Sequence, residues 1–384
     1  MILHPRKKRQ LRVLHCHKVV GGNSTYLSRA ERKAGADSRV FALNVPPAFD
    51  ATFTADATVL SRTSDSLLKR ELQRARLLWK ACTWADVIHF SYGHSIFPWE
   101  WKYLTPHRGL ASKIYSAYAK LLGKWDIRWL KALGKKIFVT YQGDDARQGD
   151  YCRQHFAINF ATETDDFSLA ADAARRRKIA VFDRYADAIY ALNPDLMHVL
   201  PARAKFVPYG HVELDDWKYV PLRKDGPIRI GHAPSNREVK GTAHIIAAVE
   251  QLRAEGLSFE FVLIENILRG EARKLYETLD LVVDQVLAGW YGGLATEFMA
   301  MGRPAIAYIR EGDLKFLPPG MADDLAVISA GPDEIKEVLR QWICADRETL
   351  REKGLASRRY TEKYHDPNRI AQLWLADYLA SFQI

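Results

Sequence analysis

Cysteine is scarce in this sequence and scattered: Cys16, Cys82, Cys152 and Cys344 stand far apart with no Cys-x-x-Cys pair. That excludes a disulfide framework and fits ordinary buried thiols in a reducing cytoplasm. Long apolar runs are lacking too, none reaching the roughly 18 residues of a membrane-spanning helix. Arg6, Lys7, Lys8 and Arg9 lead into His15, His17 and Lys18 rather than into an apolar run and a small-residue cleavage site, so no secretory signal is expected. No short-period repeat or low-complexity tract is present. The full Gly-x-Gly-x-x-Gly spacing is also missing, which leaves a nicotinamide cofactor without support. His15 and His17 share one face of a strand, but no third ligand is evident and no metal is expected.

What the sequence does have is length, positive charge and strand-helix alternation. Its 384 residues suit two α/β cores better than one. Lys and Arg outnumber Asp and Glu by 56 to 46, a net charge of +10, which calls for an acidic partner such as a phosphate-bearing substrate, anionic lipid or nucleic acid. Strands are expected between 11 and 20 and at 39–43, 86–90, 136–140, 188–192 and 205–208. A polar, Pro- and Gly-containing stretch at 220–227 then breaks the pattern, and a second series follows at 228–231, 259–264, 279–283, 304–308 and 326–329. Helices of this second half are expected from Thr242, Gly270, Thr296 and Pro332. Alternation of this kind implies parallel sheets.

In open parallel sheets, ligands bind beyond the carboxyl ends of the strands. Four loops there stand out. Gly21-Gly22-Asn23-Ser24 lets backbone approach a ligand, or is a plain tight turn. Tyr141-Gln-Gly-Asp-Asp-Ala-Arg147 packs an amide, two carboxylates and a guanidinium into seven residues, with helix capping by Asp144 or Asp145 as the plainer reading. In Ala233-Pro-Ser-Asn-Arg-Glu-Val-Lys-Gly-Thr242, Arg237 and Lys240 precede a helix whose N-terminal dipole is already positive; an intervening diphosphate would resolve the conflict. Asp284-Gln-Val-Leu-Ala-Gly-Trp-Tyr-Gly-Gly-Leu-Ala-Thr-Glu-Phe-Met-Ala-Met-Gly-Arg-Pro304 carries no charge between Asp284 and Glu297. A carboxylate entering a helix beside Met299 and Met301 needs hydrogen-bond donors if buried, and capping is the alternative.

The last two loops resemble the donor site of glycosyltransferase family 4, retaining enzymes of the GT-B type. Glu297-Phe-Met-Ala-Met-Gly-Arg-Pro304 and Gly292 match the family signature in register, Lys240-Gly241 matches its lysine, and the likeness spans nearly the whole chain. Val207-Pro-Tyr-Gly-His211 and Ala191-Leu-Asn-Pro-Asp195 resemble the stretches that close the family's first domain. The resemblance implies an α/β, GT-B fold: two facing Rossmann-like domains with parallel sheets and an inter-domain cleft. Residues 1–218 would form the acceptor domain and 226–365 the donor domain, with a C-terminal helix at 366–384 packing back on the first.

The implied function is transfer of a sugar, with retention, from a nucleotide-diphosphate sugar to an acceptor hydroxyl in bacterial-type surface polysaccharide or glycolipid synthesis. Glu297 would hold the ribose and Lys240 the diphosphate. Gly22, Asn23, Tyr209, Asn236, Arg237, Gly241, Gln285, Tyr291, Gly292, Gly293 and Leu294 complete the expected donor contacts, and Gln142, Asp144, Asp145 and Asp284 are the candidates for chemistry. Three positions depart from the family. Gly289 stands where the first signature Glu belongs, Ser235 or Pro234 where an Arg is usual, and Gln142 where many members carry His. Two other readings stay open: a non-catalytic sugar-nucleotide-binding protein, and a glucosyltransferase acting on nucleic acid.

Over residues 99–136, nine Lys or Arg face Glu100 and Asp126, with Trp99, Trp101, Trp125 and Trp129 interleaved. Such basic aromatic helices suit an anionic membrane surface presenting a lipid-linked or glycan acceptor, and equally a packed helical insertion. Lys69, Arg70, Arg74, Arg76 and Lys80 would extend that surface. The expected location is cytoplasmic, peripheral at the inner face of the membrane, with nucleic acid a partner only under the nucleic-acid glucosyltransferase reading and no cofactor beyond the donor.

Overall fold

The computed structural model describes residues 10–19, 21–45, 56–97, 110–123 and 125–382. Among the described residues there are twelve strands: β1 Arg12–His17, β2 Asp37–Ala42, β3 Ala57–Val59, β4 Val87–Phe90, β5 Lys136–Tyr141, β6 Ala188–Ala191, β7 Lys205–Phe206, β8 Ile228–His232, β9 Phe259–Leu263, β10 Leu281–Gln285, β11 Ala305–Ala307 and β12 Ile328–Ser329. The helices that matter for function are α1 Asn23–Lys33, α2 Leu67–Thr83, α3 Leu110–Leu122, α4 Trp125–Ala132, α5 Gly149–His155, α6 Leu169–Tyr185, α7 Arg237–Lys240, α8 Thr242–Ala254, α9 Arg269–Tyr276 and α10 Gly293–Ala300. After them come α11 Ile335–Ile343, α12 Arg347–Tyr364 and α13 Pro367–Ala380.

Two sheets result, ordered β3-β2-β1-β4-β5-β6-β7 and β12-β11-β10-β8-β9. The described pairings are parallel, as the strand-helix alternation requires. In the second sheet, Ile228, Ile230, Leu281, Val283 and Ile306 face one apolar cluster, while Val282, Ala305 and Ala307 face another. A strand buried on both faces reads as a continuous apolar run, which is why these strands were visible in the sequence. The strand order reverses between β8 and β10, so the loops after those two strands flank the switch point where α/β sheets place ligands.

The chain divides into two compact units, 1–140 with 181–189 and 371–384, and 141–180 with 190–370. The linker at 220–227 therefore separates the two sheets but not the two units. Cys152, Phe160, Ala161 and Phe167 join the apolar cluster of the second sheet, which draws the segment after β5 into the second unit. In the first unit, α13 brings Tyr378 to His89 and Glu31, with Nδ1 and Oε1 as the respective partner atoms.

Some boundaries differ from expectation. Helix α10 starts at Gly293 rather than Thr296, and α11 at Ile335 rather than near Pro332. Strand β10 runs on to include Asp284 and Gln285. Arg70 and Arg74 are buried, not part of a surface: Arg70 donates to Asn44 Oδ1 at 2.8 Å, and Arg74 pairs with Glu71 at 3.1 Å and donates to the Ile96 carbonyl. Trp99, Trp101, Lys102 and Arg108 of the basic aromatic segment lie outside the described residues.

Candidate functional site

The loop after β8 is shaped by two residues. Asn236 caps α7, its Oδ1 accepting from the N–H groups of Glu238 and Val239 at 3.0 and 3.1 Å. Gly241 joins α7 to α8 at φ +72°, where a Cβ would stand 2.5 Å from Val286 Cγ2. Only glycine meets both demands. The turn sends Lys240 toward the end of β10, where its Nζ lies 2.7 Å from Asp284 Oδ1. Asp284 is fully buried, and its other oxygen accepts from the N–H of Gly292 at the start of α10. An ammonium, an amide and a helix N-terminus thus compensate a carboxylate that would be costly alone.

His232, at the end of β8, fastens the same corner. Its ring nitrogens lie 2.8 Å from the Val283 carbonyl and from Thr242 Oγ1. Burial lowers its pKa to about 4, so the neutral ring donates to the carbonyl and accepts from the hydroxyl. Gly292 is tightly enclosed: a Cβ there would lie 3.0 Å from Lys240 Nζ and 3.2 Å from Asp284 Oδ2. Gly293 faces His211, and His211 Nε2 is 3.8 Å from Glu297 Oε1. Glu297 lies one turn into α10 and is 7% exposed, with Leu294 three residues before it on the same helix. Lys240, Asp284, Gly292, Gly293, His211 and Glu297 therefore line one corner of the second unit.

The loop after β5 reaches that corner through a chain of polar contacts within the same unit. Asp145 is spent on the turn itself, accepting from the N–H groups of Gln142 at 3.0 Å and Gly143 at 2.8 Å. Arg147 pairs with buried Asp195 at 2.7 Å and with Asp144 at 3.3 Å. Burial opposes the Arg147 charge, but Asp195 and Asp144 more than offset it and hold the guanidinium protonated. Asn193 donates to the Gln142 carbonyl at 2.6 Å and accepts from the Tyr209 hydroxyl at 2.8 Å. The Tyr209 ring meets His211 edge-on at 5.7 Å, which closes the chain.

Not every expected residue faces the site. Gln285 is fully engaged in shaping the loop after β10: its oxygen accepts from Leu287 N at 3.0 Å and from Ala288 N, and its amide donates to the Trp290 and Tyr308 carbonyls. Tyr291 is buried, its hydroxyl 2.9 Å from both Tyr360 Oη and His365 Nε2. Arg237 is bonded through its Nε to Glu265 at 2.7 Å and turns outward. It borders a hollow of about 420 Å³ that Glu163, Glu238 and Glu250 also line, an acidic setting that disfavours a diphosphate. Gly22 and Asn23 open α1 in the other unit, Gly22 at φ +77° with its carbonyl accepting from Thr25 and Tyr26 N–H at 3.1 Å.

His211, Asn193 and Asp195 were quoted in sequence stretches but not nominated. Arg310 gave no signal at all. At Gly289, φ +78°, a Cβ would lie 2.5 Å from Arg310 Nη1, so the guanidinium fills the space a side chain would take. Arg310 pairs with Asp313 at 2.9 Å, donates to the Ile158 carbonyl at 3.2 Å and stacks on Phe156 at 3.6 Å. Asp313 also holds His198 at 2.7 Å.

No family model and no curated protein matches this sequence. Solved structures do match, along almost the whole chain. Sucrose-phosphate synthase from Thermosynechococcus elongatus aligns with a TM-score of 0.60 at 17% identity, covering 98% of this chain and 100% of its own. HepE from Anabaena, in complex with UDP-glucose, aligns at 0.59 and 13% identity over 97% and 100% of the two chains. A glycosyltransferase from Rickettsia africae aligns at 0.55 and 13% identity over 98% and 99%. The chain thus has the α/β fold of the GT-B glycosyltransferases, two Rossmann-like parallel sheets.

Proposed function

We propose that this protein is a glycosyltransferase that takes a sugar from a nucleotide-diphosphate donor and passes it to an acceptor hydroxyl with retention of configuration. The observation that carries the proposal is the corner at the switch point of the second sheet, where Lys240, Gly292 and Glu297 meet in a fold shared with a protein crystallised with UDP-glucose. Breaking a glycosyl-phosphate bond builds negative charge on the leaving diphosphate and positive charge on the sugar ring. Lys240 is placed to stabilise the first, and the rigid turn at Gly241 pre-orients it, which is what makes a fixed charge effective in a transition state. Glu297 accepts the ribose hydroxyls. Asp284 sets the ammonium of Lys240. Gln142 and Asp144, in a loop held by the Arg147 and Asn193 contacts, are the proposed contacts to the sugar and the acceptor.

A hexosyl donor, an acceptor in surface polysaccharide or glycolipid synthesis, and independence from metal ions belong to the same proposal. Incubation with UDP-glucose and related donors, with the anomeric proton of the product followed by NMR, tests it. Product of the donor's configuration is expected; the inverted anomer contradicts the retaining mechanism. A non-catalytic sugar-nucleotide-binding role is favoured by one observation, the Arg310 guanidinium over Gly289. Saturable donor binding without hydrolysis or transfer to any acceptor would support that reading instead.

A further inference from the structure

Helix α2 has two apolar faces: Leu77 and Ala81 are buried, and a second stripe is not. Its buried face carries Arg70, Arg74, Leu77 and Ala81, while Leu68, Leu72 and Trp79 point to solvent, Leu68 and Trp79 at 73% and 72% exposure. The positions i, i+4 and i+11 fall on one helical face, so the three form a continuous stripe. Helix α4 packs beside α2 and, with Leu133 just after it, adds Trp125 and Trp129, all exposed. Helix α3 is tied to α2 by the bond from the Tyr118 hydroxyl to Glu71 at 2.8 Å, and it exposes Ile114 and Leu121. Eight exposed large apolar side chains on and beside three helices that touch one another mark a surface that something covers.

The charge around the stripe says what covers it. Apart from the buried Arg70 and Arg74, the three helices hold seven Lys or Arg against Glu71 and Asp126, of which Lys69 and Lys131 are paired with Asp65 and Asp187. Glu71 is paired with Arg74, and Asp126 is buried under Ser95 and Phe97. Arg76 and Arg128 flank the stripe in the open. Two copies of such a face pressed together would oppose cation to cation, whereas an anionic bilayer accepts apolar side chains and cations at once. Among the described residues no helix is long and apolar enough to cross a membrane, so the contact would lie in the interface plane.

We propose that the outer face of α2, with α3 and α4, docks on an anionic lipid bilayer, Leu72, Trp79 and Trp129 entering the headgroup layer and Arg76 and Arg128 meeting lipid phosphates. Flotation of the full chain with vesicles of phosphatidylcholine alone, or with about one third phosphatidylglycerol, tests this. Recovery with the anionic vesicles and not the neutral ones is expected. Leu72→Ser with Trp79→Ser, and separately Arg76→Glu with Arg128→Glu, should each lower it at least tenfold. Equal recovery from both vesicle types, or unchanged recovery in the double variants, overturns the proposal. A dimer in solution that Leu72→Ser with Trp79→Ser dissolves, without lipid binding by the parent, assigns the face to a second copy instead. All four side chains are exposed, so melting curves should match the parent's. Donor affinity should be unchanged too, which separates failure here from failure of the glycosyltransferase reading.

Discussion

Lys240 and Asp284 satisfy each other at 2.7 Å while Gly292 presses against both. Gly292 has φ −107°, open to any residue, so Gly292→Ala strains no backbone; its methyl instead displaces the ammonium. The expected result is weaker donor binding together with a lower melting temperature, because the buried Asp284 carboxylate loses its ammonium. Gly241 is the opposite case. At φ +72° with Val286 2.5 Å from a Cβ, Gly241→Ala meets both backbone strain and overpacking. It should destabilise the fold by roughly 2–4 kcal/mol in denaturant titration. If Gly241→Ala melts with the parent, the rigid turn that aims Lys240 is not as described.

At the scale of elements, the loops after β5 and β6 are joined by the Arg147–Asp195 pair, both partners buried. Removing one partner leaves a buried charge, since the remaining Asp144 contact is longer, at 3.3 Å, and more exposed. Asp195→Ala should therefore cost about 3–5 kcal/mol in denaturant unfolding, while Asp144→Ala should cost less than about 1 kcal/mol. The apolar strands of the second sheet were legible because both their faces are buried, and Lys240-Gly241 and Glu297 were legible by motif. Edge strand β3 was missed because Ala57, Thr58 and Val59 are few and half exposed. Asp284 and Gln285 were read as loop because polar residues at a strand's carboxyl end carry no period-2 signal. Asp313 and His198, 115 residues apart, and Arg310 over Gly289 meet only through the folded chain. No local pattern announces such pairs.

For the whole molecule, buried histidines set a pH dependence. Burial lowers His17 to about 3 and His232 and His365 to about 4, and holds His89 well below its ordinary value. Their folded pKa values lie below the unfolded value near 6.5, so the unfolded chain binds more protons in this range. Their contribution is complete above pH 6.5 and is lost as pH falls toward 4. Asp126, raised to about 6 by burial, works in the opposite direction between about 4 and 6, as one group against four. Denaturant midpoints should accordingly be lower at pH 5 than at pH 7; an equal or higher midpoint at pH 5 contradicts the neutral buried histidines.

The central claim, a nucleotide-sugar site at the corner of β8, β10 and α10, is tested most directly by calorimetric titration of UDP-glucose and related nucleotide sugars into the parent and Glu297→Gln. Saturable binding of at least one donor is expected. Glu297→Gln should weaken it roughly 10- to 150-fold, the loss of about 1.5–3 kcal/mol for hydrogen bonds to a charged group, at an unchanged melting temperature. Equal affinity in the two proteins, or no binding of any nucleotide sugar by the parent, would contradict the assignment.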